Sequence, residues 1–420
     1  MSNSTNTIGR SGLFSNTSSA MSAAPLVRVA GQRVESIDLL RGIVMIIMAL
    51  DHARDYFHSS AYVFDPTDLS RTTVPIFLTR WITHFCAPVF MLLAGVSAHL
   101  YGIKNGRKAL SFFLLTRGIW LILAEMFIVT LGWTFNAHFT IYILQVIWAF
   151  GVSMIVLSAL VYARRGVILA IGIVLLAGHN LLDSVHVAGD GWPAFGWAFL
   201  HEQRPFTFGP FFVFMGYPIL PWIGLIAVGY YLGSLYGPDQ DPVKRKKTLR
   251  ALGLGAIAAF ILLRAINVYG DPAPWSVQRN AVFSILSFLN VSKYPPSLLY
   301  VLMTMGPTLL FLAYAERPLN ALTRRIVVFG RVPMFFYLLH IYLLHGLAVI
   351  GVAVSGHPAS DMTFLTNWVT ANAQLKGYGF GLVTVYGVWI GVVIVLYPLC
   401  KWFAGYKRSH QGQKKWLSYL

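Results

Sequence analysis

Beyond a polar amino-terminal stretch, the chain is a succession of apolar runs separated by short polar or glycine- and proline-rich segments. About ten of these runs approach the 20 or so residues that carry a helix across a hydrocarbon core. They fall at 37–57, 73–102, 109–132, 139–162, 166–183, 212–235, 250–268, 297–315, 332–354 and 379–401. The pattern predicts an all-α fold, a polytopic transmembrane helical bundle. Residues 1–32 are rich in Ser, Asn and Thr and lack the apolar core of a signal peptide, so a disordered tail is expected there. Residues 33–404 form the transmembrane domain and 405–420 a basic tail. No internal repeat is visible.

Composition agrees with this reading. The 420 residues are 56% hydrophobic and 11% charged, with a mean hydropathy of +0.64. Soluble domains carry about a quarter charged residues. The formal net charge of +17 could point to nucleic acid, but the placement of the cations argues otherwise. Lys104, Arg107, Lys108, Arg164, Arg165, Lys244 to Lys247, Arg250, Arg317, Arg324 and Arg325 fall in alternate connections, together with both ends of the chain. The intervening connections hold few: Arg54, Arg71, Arg204, Arg279, Lys293 and Lys376. Such alternation is the positive-inside signal and places both ends in the cytoplasm. The expected location is a membrane, the bacterial inner membrane in particular, with no nucleic-acid partner. Cys86 and Cys400 lie in apolar runs and make no disulfide framework.

The chemistry is concentrated in the first two runs. Asp51 and His52 sit near the end of the first run, within DHARDYFH. On a helix Asp55 is three residues beyond His52 and His58 three beyond Asp55, spacings that set a carboxylate beside an imidazole. A carboxylate so placed would orient the ring as a general base. The plain alternative for Arg54, Asp55 and His58 is a charged helix end at the headgroup boundary. In the second run Arg80 and His84 are four apart and share a face, and His84 lies roughly 16 Å below the outer end. Arg80 could clamp an acyl carbonyl or a phosphate. In the ninth run His340 and His345, five apart, face different ways, so at most one is expected in the same cavity. Asp38 and Arg41 read as a structural ion pair. Glu125 and Arg264 are isolated intramembrane charges that could pair with one another. Ionisable groups at this depth are costly and usually face a protein interior or a wet cavity.

The outer connections are long and hold Trp192, Trp197, Trp275 and Trp368, rings that could stack on sugars or simply belt the interface. Walker, dinucleotide-binding, HExxH and cysteine-based metal patterns are absent, and with the histidines scattered no metal is expected.

The stretches RVESIDLLRGIVMIIMALDHARDYF (33–57), WITHFCAPVFMLLAGVSAHLYG (81–102), YPILPWIGLIAVGYYLG (217–233) and GRVPMFFYLLH (330–340) resemble the heparan-α-glucosaminide N-acetyltransferase family. The resemblance is densest in the first two runs. It implies an integral-membrane acyltransferase that takes acetyl from cytoplasmic acetyl-CoA and delivers it to an amino-sugar or glycan acceptor across the membrane. His52 and His84 stand where the lysosomal members have Asn and Asp; His340 matches a family histidine; and the position aligned with their luminal histidine, near Val74, is not histidine. The site this implies is His52, His84, Asp51, Arg80 and His340, with either His52 or His84 as base. Transfer could be direct or pass through an acetyl-histidine. Lys104, Arg107 and Lys108 are candidates for the phosphates of acyl-CoA, or serve topology alone. Expected partners are the lipid bilayer, acyl-CoA and the glycan acceptor, with a homodimer as candidate assembly. Intramembrane charges in glycine- and proline-interrupted runs would equally serve a proton-coupled transporter or exporter; a non-catalytic scaffold has no need of them.

Overall fold

The computed structural model describes residues 34–410 and 413–419. The amino-terminal tail expected to be disordered lies outside the described residues. Fifteen α-helices follow in order: α1 (Glu35–Phe57), α2 (Val74–Ile82), α3 (Cys86–Asn105), α4 (Arg107–Leu123), α5 (Thr130–Thr134), α6 (Val146–Leu160), α7 (Arg165–Gly178), α8 (Trp192–Leu200), α9 (Leu220–Leu232), α10 (Pro242–Ile266), α11 (Ala281–Leu289), α12 (Leu298–Tyr314), α13 (Ala321–Arg331), α14 (Pro333–Val354) and α15 (Leu382–Ser409). Residues 405–409 of the expected basic tail therefore continue α15.

Six helical stretches among the described residues are long and apolar enough to cross a membrane: Val74–Asn105, Arg107–Thr134, Arg165–Leu182, Pro242–Ile266, Pro333–Val354 and Leu382–Ser409. Three further apolar helices are shorter, Val146–Leu160, Leu220–Tyr236 and Leu298–Tyr314. The first apolar run, α1, has the length at 23 residues but carries Asp38 and Arg41 near one end and Asp51, Arg54 and Asp55 near the other. The second run is not one uniform helix: a 3₁₀ turn at Thr83–Phe85 joins α2 to α3. A π-helical turn at Ala124–Val129 likewise interrupts the third.

The all-α expectation needs one correction. Strands β1 (Ile141–Leu144), β2 (Arg204–Phe208) and β3 (Phe211–Met215) form a small sheet in the order β1-β3-β2, with β1 parallel and β2 antiparallel to β3. β1 and β3 occupy the starts of the runs read at 139–162 and 212–235. They are rich in Ile, Tyr, Phe and Val, which suit a pleated strand, and a short apolar run does not itself distinguish strand from helix. The sheet packs with α8 around Leu144, Ala194, Ala198, Phe206 and Met215.

Tight helix crossings build the rest. A Cβ on Gly95 of α3 would fall 2.2 Å from the Ile226 carbonyl oxygen of α9, and one on Gly229 of α9 would fall 2.2 Å from that of Leu92. Only glycine lets these two backbones meet so closely, as is common between membrane helices. α1 lies against α3, α13, α14 and α15, and apart from the exposed Glu35 its ionisable side chains are buried or half-buried against protein.

Candidate active site

The end of α1 that carries Asp51 opens into a cavity of about 540 Å³. Its wall draws on remote parts of the chain: Asp51, His52, Arg54 and Asp55 of α1, Arg80 of α2, Trp133 of α5, Gln145, Gln203, Tyr217, Lys293, Tyr294 and Trp368. The segments 61–66, 143–146, 203–217, 293–294 and 368–371 all reach it, so the long connections gather at one end of the bundle around a single chamber.

Asp51 is the electrostatic centre. It accepts from Arg54 at 3.0 Å and from Arg80, and Lys293 Nζ stands 4.0 Å away. Arg54 also donates to Asp55 at 2.6 Å. The helical spacing explains the local part: Arg54 is one turn beyond Asp51, whereas Arg80 and Lys293 arrive by tertiary packing. These groups are largely withdrawn from solvent. Asp65 also lines the cavity, so its wall sets three carboxylates, Asp51, Asp55 and Asp65, against three cations, Arg54, Arg80 and Lys293.

His52 stands beside this cluster but makes a different bond. Its Nδ1 lies 2.7 Å from Nε2 of His340, the rings stacked with centroids 4.9 Å apart. His340 is fully buried, and its Nδ1 lies 2.9 Å from the Phe336 carbonyl oxygen. A carbonyl only accepts, so His340 Nδ1 carries the proton and its Nε2 is an acceptor in the neutral ring. His52 Nδ1–H must then donate to it, which leaves His52 Nε2 as a lone pair. The tautomer follows from this hydrogen-bond network. Trp133 meets the His52 ring edge-on at 4.8 Å and stacks obliquely on Trp368 at 4.7 Å.

The expected carboxylate–imidazole array in DHARDYFH is not formed: Asp55 pairs with Arg54, His58 bonds to Ser60 at 2.6 Å, and His52 is oriented by a second histidine. Of the two ninth-run histidines, His340 belongs to the site. His345 lies between the Gly132 and Met362 carbonyls, at 2.8 and 2.7 Å, and joins α14 to α5 and the 359–362 turn. His84 is buried beside the Tyr300 ring, at 5.4 Å, and its Nδ1 has no hydrogen-bond partner among the described residues; it is outside the cavity wall. Lys104 in the last turn of α3 and Arg107 and Lys108 at the start of α4 are exposed, about 30 Å along α3 from His84. Glu125 and Arg264 do not pair. Glu125 accepts from the Trp148 backbone, and Arg264 donates to the carbonyls of Ala273, Ser287, Phe288 and Asn290. Asp38 and Arg41 do form the expected ion pair, at 3.0 Å.

Sequence reasoning missed Lys293, Trp133, Tyr217 and Tyr294. Lys293 carried one signal, as a rare cation in an outer connection.

A family model for the catalytic domain of heparan-alpha-glucosaminide N-acetyltransferase matches residues 33–270, more than half of the chain. The chain belongs to this family. No curated protein matches it. Membership in the heparan-alpha-glucosaminide N-acetyltransferase family makes the chain a membrane acetyltransferase and does not favour the transporter reading. The matched segment contains Asp51, His52, Arg54, Arg80 and His84. Lys293 and His340 lie beyond it and join the site through the fold.

Proposed function

We propose that this acetyltransferase moves an acetyl group from acetyl-CoA to the amine of an amino-sugar or glycan acceptor bound in the cavity, with His52 as general base. The observation that carries this is the His340–His52 hydrogen bond, which leaves Nε2 of His52 without a proton at the cavity wall. The acceptor amine attacks the thioester carbonyl; the new C–N bond forms and the C–S bond breaks. His52 Nε2 takes the proton released from nitrogen and returns it to the departing thiolate as CoA–SH. Asp51 keeps Arg80, Arg54 and Lys293 in place, and the Lys293 ammonium is the group most suited to an acyl carbonyl or a phosphate. Trp133 and Trp368 offer faces for a sugar ring.

Ten crossings with both chain ends in the cytoplasm, in a bacterial plasma membrane, fit the alternation of basic connections. The cavity then faces outward. Lys104, Arg107 and Lys108 face inward, where the phosphates of cytoplasmic acetyl-CoA would meet them. His84, in the 3₁₀ turn that joins α2 to α3, lies in sequence between these two ends, and an acetyl group carried from one to the other would pass near it. The homodimer finds no support in the fold or the family match.

The test is transfer of labelled acetyl from acetyl-CoA to a panel of amino sugars and glycans by protein in liposomes, product identified by mass. N-acetylated product that disappears in His52→Ala is expected. Wild-type protein that turns over no acyl-CoA with any acceptor, or full transfer by His52→Ala, overturns the reading.

A further inference from the structure

The carboxy-terminal end of α7 closes in a 3₁₀ turn, His179–Leu182. His179 and Asp183 are four residues apart across that turn and share a face. His201, immediately after α8, joins them. One ligand-competent atom from each of the three lies within 4.8 Å of the others. The two rings are 5.5 Å apart, and His201 Nε2 is 3.0 Å from Asp183 Oδ1. The second oxygen of Asp183 accepts from Asn180 Nδ2 at 2.8 Å, which orients the carboxylate.

The two imidazoles are buried and short of partners, and Asp183 between them is half-buried. His179 is 3% exposed and His201 4%. Neither ring nitrogen of His179 makes a well-formed hydrogen bond among the described residues, although the Pro296 carbonyl is near the ring, and Nδ1 of His201 is likewise unsatisfied. Buried polar groups are normally paired, and an unsatisfied imidazole close to a carboxylate and a second imidazole is what a cation would satisfy. Two nitrogens and one oxygen suit a borderline transition ion, whereas calcium and magnesium take all-oxygen sets. Bonds of about 2.0–2.1 Å require the three ligand atoms to draw closer together and leave the fourth tetrahedral position to water.

We propose that His179, Asp183 and His201 bind one divalent transition ion of the zinc class, and that this ion staples the end of α7 to the end of α8. The staple bears on the cavity through the chain that follows. Gln203, two residues beyond His201, lines the cavity and donates to the Gly216 carbonyl at 3.2 Å. Asn180, inside the turn, accepts from the Leu298 amide at the start of α12. The site is distinct from His52 and its role is to hold one wall of the chamber, so it stands or falls separately from the transferase reading.

The experiment uses the full chain in detergent, purified through a tag other than polyhistidine, stripped with chelator and dialysed against zinc. About one zinc per chain is expected by mass spectrometry of the metal, with a higher Tm than the stripped protein. Cobalt in its place should give visible d–d bands of tetrahedral strength that saturate at one equivalent. His179→Gln and His201→Gln should lose both signals, and His186→Ala, an exposed neighbour, should keep them. Zinc uptake by the stripped wild type no greater than by the His179→Gln/His201→Gln double variant overturns the proposal. If the variants do not fold, the cobalt titration of the wild type decides alone: no tetrahedral band at one equivalent refutes the site.

Discussion

α1 carries the same ion pair twice. Asp38 and Arg41 sit near its start, Asp51 and Arg54 near its end, each pair three residues apart with nitrogen and oxygen 3.0 Å apart. Around the first pair the described contacts run to neighbouring helices. Arg41 donates to the Gly330 carbonyl at 3.3 Å and to Ser97 at 3.1 Å, and Arg331 stands 3.9 Å from Asp38, so the pair joins α1 to α13 and α3. Around the second pair the same motif is surrounded by Arg80, Lys293, His52 and a chamber of about 540 Å³. The local spacing is therefore neutral with respect to function. What sets the second pair apart is a neighbouring imidazole with a defined tautomer, and space.

The largest effect that separates the two ends is expected at His52. His52→Ala should lower acetyl transfer by about 10²–10⁴-fold, the usual worth of a positioned general base, with expression and Tm close to wild type. Substitutions at Asp38 or Arg41 should not approach this in kcat; if they do, the two ends are not functionally different. The next largest effect is one of stability. Asp51→Asn leaves Arg54, Arg80 and Lys293 with Asp55 as their nearby anion. Removing one partner of a buried ion pair costs about 3–5 kcal/mol, which denaturant unfolding of the detergent-solubilised protein should register. A smaller effect than that of Asp38→Asn would break the comparison.

The sequence made one end of this helix more legible than the other parts of the site. Asp51, His52, Arg80 and His340 stand out as ionisable residues in apolar runs, and a residue of that kind needs a polar neighbour wherever it is buried. Its direction is a tertiary matter. His84 satisfies the same criterion and packs on Tyr300 instead, and the His52 partner proved to be His340 rather than a carboxylate on its own helix. Lys293, Tyr294 and Trp133 come from connections and a short helix remote in sequence, and nothing local marks them as neighbours of Asp51. The helical bundle was readable from the length of the runs, whereas β1 and β3 were hidden because four or five apolar residues are compatible with either secondary structure. His179 and Asp183 had a readable i, i+4 spacing, but His201 reaches them only through the path of α8.

His340 sharpens the comparison through tautomer rather than charge. His340→Phe removes the acceptor for His52 Nδ1–H while keeping a ring between Phe336 and Tyr337. Transfer should fall by about 10- to 100-fold, less than on loss of the base itself, mostly in kcat. His340→Gln restores an acceptor oxygen and should recover part of the loss. Equal rates for the two variants would mean that His340 only packs.

The smallest effect belongs to the inner pair. Asp38→Asn keeps an oxygen able to accept from Arg41 and leaves the Gly330 and Ser97 contacts of Arg41 intact, while the charge that faces Arg41 and Arg331 is lost. Hydrogen bonds to charged groups contribute about 1.5–3 kcal/mol, and with the bond itself retained the fall in stability should lie at or below about 1–2 kcal/mol. The KM for the acceptor should not change, because Asp38 lies near the start of α1 and the cavity at its end. Unfolding and steady-state kinetics on this one variant therefore read the two properties apart. A modest loss of stability with unaltered transfer means that an aspartate–arginine pair on α1 holds helices together until an imidazole and open volume are added to it. Lost transfer with unaltered stability would mean that the inner end also handles substrate, and the division between the two ends of α1 would have to be redrawn.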